Sequence, residues 1–273
     1  MLQPTRDDPK CPGLAPAVVV SYFTEIESTT PGNTFGGASG YFSDLDHVIT
    51  AKHLIDGIER DLSNEWVIIN RSMRPYGLVV QDPRTSLSWQ ATGHSPLPGT
   101  DLCVLHVVPN LFDQADARSY SEWAARFQAP AHRITPICLG ESVRIVGFTE
   151  IDYTLEYDET AEGGNRSLRC APFGLYGEDT VSSVNPTGIR QFNFPCFSLE
   201  NLQAVGGMSG GPALDVQGHI AGVVSSSIEH GESTIIDWPG TFRMLQLESP
   251  STFYSLPCLC LGARFAPIRL EAL

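Results

Sequence analysis

Nowhere does this chain approach the roughly 18 consecutive apolar residues of a membrane-spanning helix. Its hydrophobic content is nonetheless 42% of 273 residues, spread through short runs that suffice for one sizeable core or two smaller ones. Positive charge is scarce, with 17 Lys and Arg against 31 Asp and Glu for a formal net charge of -14. A nucleic-acid surface needs clustered cations, so that partner class is excluded, and a well-solvated surface is the plainest use of the acidic excess. The first ten residues, Met1 to Lys10, carry neither a basic start nor an apolar signal core, so export by a standard signal is not expected. Cysteine is sparse and odd in number, at seven. Cys103 sits in an apolar run as a small buried thiol would, and Cys258 and Cys260 stand too close and too isolated to suggest a zinc site. The expectation is therefore thiols in a reducing, cytoplasmic compartment, with no metal and no cofactor.

What is present is strand-like material broken about every ten residues by turn formers. Ala17 to Phe23, Gly36 to Phe42, Val48 to Thr50, Glu65 to Asn70, Gly77 to Val80 and Asp101 to Val108 read as strands. A second set runs through Glu141 to Phe148, Gln191 to Pro195, and a hairpin of Pro212 to Asp215 and His219 to Ser225 around Gln217-Gly218. Between the sets, Ala117, Tyr120, Trp123, Ala124 and Phe127 fall at helical spacing, with an aromatic stripe suited to packing on a core. Short strands at this spacing indicate an all-β sandwich or barrel rather than β-α-β units. Glu150, Asp152, Glu156, Asp158, Glu159 and Glu162 occur with no basic residue among them, which reads as an exposed loop.

Three short segments carry chemistry. Gly207-Met208-Ser209-Gly210-Gly211-Pro212 holds a serine between glycines. Such a string can be an ordinary turn. It also suits a nucleophile on a tight loop whose amides at Gly207 and Ser209 converge on one spot. Val48-Ile49-Thr50-Ala51-Lys52-His53 ends an apolar run in a histidine, and Thr100-Asp101-Leu102-Cys103-Val104-Leu105 opens one with an aspartate. A serine hydroxyl needs a neighbour to take its proton, imidazole titrates in the right range, and a carboxylate can orient the ring. His47, His94, His106, His132, His219 and His230 are alternatives to His53, but none follows a Thr-Ala pair at a strand end. Asp56, Asp61 and Asp82 compete with Asp101, which alone heads a long apolar strand.

In the order His, Asp, Ser these segments resemble the trypsin-like, chymotrypsin-fold serine peptidases, and the resemblance runs from about Val18 to Ser227. It implies two six-stranded antiparallel β-barrels with the site between them. Residues 1–16 would be an N-terminal extension, 17–112 the first barrel, 113–136 a linker with a helix, 137–262 the second barrel, and 263–273 a tail or helix. It implies a serine endopeptidase acting on a polypeptide substrate through an acyl-enzyme, with triad His53, Asp101 and Ser209 and an oxyanion hole of Gly207 and Ser209. A catalytically silent module that keeps the fold to bind peptides is the alternative.

The departures matter. Leu54 follows His53 and Val205 precedes the glycines, so two disulfides common in secreted members cannot form in their usual places. Many members pair an aspartate before the serine with a new N-terminal amine after zymogen cleavage. Here that place is Met208, as in non-zymogen bacterial-type relatives, so the hole is either formed as synthesised or set by an activating or regulatory protein partner or a mobile loop. By the family's pattern Ser225, Ser226 and Ser227 line one side of the primary pocket and pair with substrate backbone. Gln203 stands where an acid would select Lys or Arg, which favours a neutral or polar residue there.

Overall fold

The computed structural model describes residues 2–4, 16–25, 33–55, 73–85, 87–97, 99–111, 114–158, 165–188, 194–202, 204–227, 233–237 and 269–271. After the short strand β1 (Gln3–Pro4) come β2 (Pro16–Glu25), β3 (Asn33–Phe42), β4 (His47–Ala51), β5 (Met73–Gln81), β6 (Ser88–Pro96) and β7 (Leu102–Pro109). The last six close into an antiparallel barrel in the order β2-β3-β4-β7-β6-β5. The expected strand at Glu65 to Asn70 lies outside the described residues.

β4 is apolar without alternation because both of its faces are covered. Val48 points into a core with Phe42, Val80, Trp89 and Leu105, whereas Ile49 belongs to the cluster at the seam between the halves. The helix α1 (Gln114–Arg126) closes the first core with its aromatic stripe: Trp123 is buried, and its ring lies 4.9 Å from Trp89 and 5.2 Å from Phe42. Its indole Nε1 donates to Asp82 Oδ2 at 2.9 Å. That fully buried carboxylate also receives Arg84 and is thereby committed to structure rather than catalysis.

The second half comprises β8 (Ser142–Asp158), β9 (Asn165–Asn185), β10 (Cys196–Leu199), β11 (Pro212–Leu214), β12 (Ile220–Ser227), β13 (Ser233–Asp237) and β14 (Arg269–Glu271). Pairing runs β9-β10-β13-β12-β11-β8, and β8 pairs back to β9, so six strands form a ring. Two more strands join it at β9: β1 antiparallel at Tyr176 and Leu175, and β14 parallel at Ser167 to Arg169. The molecule is therefore mostly β in a double-barrel, chymotrypsin-like arrangement, and among the described residues the second sheet has eight strands rather than six. The hairpin turn expected at Gln217-Gly218 is present, with Gly218 at φ +82°.

One expectation is corrected. Residues 150 to 158 are not a loop but the outer half of β8, paired with β9 from Asp152↔Ala171 to Asp158↔Asn165. Tyr153, Leu155 and Tyr157 alternate with the acids, and that period of two prevails over the charge run. Glu159 and Glu162 lie outside the described residues.

A third apolar cluster is the seam between the halves. Tyr41, Ile49 and Leu102 of the first barrel pack on Val146, Cys196, Leu214, Ile220 and Val223 of the second. Among the described residues no helix is long and apolar enough to cross a membrane.

Candidate active site

β4 and β7 run side by side to the pair Ala51↔Leu102, and both chains leave the ladder there towards the seam. Beyond Ala51 the backbone turns helical at Lys52 to Ile55, which lifts His53 out of the strand. Before Leu102 the Thr100 hydroxyl closes the turn, donating to Leu97 O and accepting from Leu102 N. The Asp101 carbonyl accepts from Lys52 N at 2.9 Å, so the two departures are tied together.

The result is a two-point grip on His53. Asp101 Oδ1 accepts its backbone N–H at 2.8 Å, and Asp101 Oδ2 accepts Nδ1–H at 2.8 Å. With Nδ1 as donor, the neutral ring keeps its lone pair on Nε2. The carboxylate side chain is 11% exposed and the imidazole 50% exposed, so the ring faces solvent while the carboxylate that holds it is sheltered. A third donor completes Asp101: Ser225 Oγ reaches Oδ2 at 2.5 Å from the opposite barrel.

Ser209 arrives from that barrel on a loop built by hydrogen bonds. Met208 N donates to Val205 O, Gly211 N to Met208 O, and Gly210 N to Val224 O. Gly207 and Gly210 hold φ of +93° and +87°, a region that side chains rarely adopt. A Cβ on Gly207 would lie 2.6 Å from Phe148 O, so the loop can rest on β8 only with glycine there. Met208 is completely buried in the core of the second barrel. Ser209 Oγ donates to Ser225 O at 2.9 Å. Among the described residues, the amides of Gly207 and Ser209 have no acceptor, and both residues are half-buried.

The structure thus brings His53, Asp101, Ser209, Gly207 and Ser225 to one place at the seam. Ser225 is fully buried, and its hydroxyl is turned onto Asp101. Ser226 and Ser227 continue β12 opposite Thr234 and Ser233, and Gln203 lies outside the described residues. The residue that sequence reasoning missed is Ser39, which bonds the serine loop from across the seam at two points, Ser209 O and Gly207 O. The only sequence signal was a hydroxyl inside the glycine-rich run Gly36 to Gly40.

Four of the competing histidines, His47, His106, His132 and His219, have partners other than Asp101 and Ser209. Asp44 holds His47 Nδ1 at 2.8 Å, and His47 Nε2 faces His106 Nδ1 at 3.1 Å. His106 Nε2 in turn meets Ser95 Oγ at 3.0 Å. Burial, and then neighbouring His47, push the His106 pKa below the ordinary imidazole value. His132 lies on the seam with Nε2 3.4 Å from the hydroxyl of fully buried Tyr41, and burial pushes its pKa down as well. His219 lies 3.6 Å from Asp215, and His230 is outside the described residues. Among the described residues no group of three or more His, Cys, Asp or Glu is arranged to hold a metal ion.

No family model and no curated protein match the chain. Among solved structures it is similar to the Rv3671c protease from M. tuberculosis in its active form, with 16% identity and a TM-score of 0.48 over 87% of this chain and 82% of that one. The inactive form of the same protease aligns at 16% identity and a TM-score of 0.47, over 85% of this chain and 89% of that one.

Proposed function

We propose that the protein is a serine endopeptidase, with Ser209 as nucleophile, His53 as general base and Asp101 as the group that orients the imidazole. The observation that carries this reading is the two-point grip of Asp101 on His53, which fixes the tautomer with Nε2 as proton acceptor. Ser209 would attack the substrate carbonyl while its proton passes to His53 Nε2. The developing oxyanion would lie against the Gly207 and Ser209 amides, each worth roughly 10²- to 10³-fold in rate. His53 would then return the proton to the leaving amine, and water would release the acyl group by the same path. Ser225 acts through Asp101, and the backbone of Ser225, Ser226 and Ser227 would pair with a polypeptide substrate, with Gln203 at the pocket. The reading includes no cofactor, and a reducing, cytoplasmic setting suits the exposed Cys138 thiol.

A second reading, a latent enzyme completed by a protein partner, is favoured by one contact. The Ser209 proton is engaged by Ser225 O, so the hydroxyl must rotate towards His53 before it can react. A proteome-derived peptide set digested with wild-type and Ser209→Ala protein tests the proposal. Cleavage should fall on the order of 10⁶-fold, as when one member of such a unit is removed. A loss below about tenfold contradicts the assignment, and cleavage that appears only with a partner supports latency.

A further inference from the structure

Ser39 reaches from the first barrel to the backbone of the serine loop at two points. It is completely buried on β3, opposite Val18 of β2. Its amide and hydroxyl are engaged across the seam, and its carbonyl within its own barrel. Its amide donates to Ser209 O at 2.8 Å, its hydroxyl donates to Gly207 O at 2.7 Å, and the same Oγ accepts from Phe148 N at 2.8 Å. Its carbonyl accepts from Thr50 Oγ1 at 2.7 Å. A Cβ on Gly210 would fall 2.1 Å from that carbonyl, and one on Gly147 would fall 3.0 Å from Ser39 Oγ. Both glycines therefore let the second barrel close on this serine.

Gly206-Gly207 is free to change peptide orientation, since neither residue has a Cβ, and unlike Gly210 and Gly211 their amides have no acceptor among the described residues. The carbonyl that follows is the one Ser39 Oγ grips. One residue further on, Met208 O accepts from Gly211 N. In a trans peptide the next N–H, that of Ser209, therefore faces the opposite way. The Ser209 carbonyl is then held by the Ser39 amide. Both sides of Met208 are pinned, and its apolar side chain is anchored in the core beneath.

On the reading of Ser209 as nucleophile, we infer that Ser39 is a positioning residue that holds the Gly207–Ser209 segment in its oxyanion-binding shape. It is an uncharged latch supplied by the barrel that carries His53 and Asp101. Where an aspartate before the serine would need a new chain terminus, this latch forms when the two barrels pack together. The hole is thereby coupled to folding and requires no cleavage of the chain.

The test uses p-nitrophenyl acetate, whose acylation burst needs the nucleophile and the hole but no knowledge of the natural substrate. Ser39→Ala removes only the hydroxyl, leaving Gly207 O and Phe148 N without their partner. The acylation rate should fall by at least tenfold and up to about 10²-fold, with KM within about threefold of wild type. The pH at which the rate reaches half its plateau should not move, because His53 and Asp101 are untouched; a general loosening of the seam would shift it. Ser39→Cys keeps a weaker donor in place and should fall between the two, which decides the matter if the alanine variant does not fold. An alanine rate within threefold of wild type overturns the latch, as does a cysteine variant slower than alanine. A wild-type protein that never acylates, alone or with a partner that stimulates it, overturns the peptidase reading itself and the latch with it.

Discussion

Adding one methyl group at Gly210 should separate a tight seam from a merely awkward backbone angle. Its Cβ would lie 2.1 Å from Ser39 O, 2.5 Å from Thr50 Oγ1 and 2.8 Å from Ala51 N. Ordinary contact begins at 3.4 Å, so the loop or the β3–β4 edge must retreat by about 1.3 Å. That retreat breaks Ser39 N→Ser209 O, and turning Thr50 Oγ1 away from the added methyl breaks its bond to Ser39 O, at about 1 kcal/mol each. The φ of +87° adds about 1–2 kcal/mol for a residue with a side chain. Gly210→Ala should therefore lose about 3–4 kcal/mol, and at about 2–4 °C per kcal/mol melt roughly 6–16 °C below wild type. Gly218→Ala is the control: its φ of +82° is similar, but nothing lies within 4 Å of its added Cβ. That variant should lose only the backbone cost, about 1–2 kcal/mol. Displacing Ser209 by an ångström should also slow ester acylation by about 10²-fold in Gly210→Ala and leave Gly218→Ala unaffected. Equal melting temperatures for the two variants, read by circular dichroism, would refute the packing argument.

Asp101→Asn should lower peptide or ester turnover by about 10⁴-fold, because the amide no longer enforces the Nδ1–H tautomer; a drop under about tenfold would mean His53 is oriented by something else. Trp123→Phe should destabilise by about 1–3 kcal/mol in a urea melt, since it removes the indole donor to fully buried Asp82, and an unchanged midpoint would count against that network. For His132 and His106 the folded-state pKa is depressed, so the unfolded chain takes up protons first and stability is lost as pH falls through about 6.5. His132→Gln should flatten that acid limb between pH 7.5 and 5.5, and a wild-type melting temperature that rises on acidification would contradict the sign.

The parts of the fold that local pattern could reveal were those whose burial is local. Tyr120, Trp123 and Phe127 signalled a helix packed on a core, and Gln217-Gly218 signalled a hairpin, because each rests on neighbours in sequence. The order of His53, Asp101 and Ser209 was legible for a related reason, as each stands at the end of an apolar run or inside a glycine turn. Ser39 was not, since its partner Gly207 is 168 residues away and nothing near Ser39 announces the contact. Ser225 illustrates the same limit. Its position beside the site could be read, but which way its hydroxyl faces depends on Asp101, 124 residues earlier. The acidic stretch failed differently: repulsion among Asp152, Glu156 and Asp158 argues for a loop until β9 supplies a partner strand. The two extra strands of the second sheet were invisible because Gln3–Pro4 and Arg269–Glu271 are too short to carry a period.

The central claim, that Ser209 is a nucleophile activated by His53, is tested most directly by a fluorophosphonate probe with mass-spectrometric localisation of the adduct. A single phosphonyl group on the Ser209 peptide, absent from Ser209→Ala and slowed at least 10³-fold in His53→Ala, is the predicted result. No adduct at Ser209 in the folded protein, alone or with a partner that stimulates it, would contradict the account, as would labelling indifferent to the loss of His53.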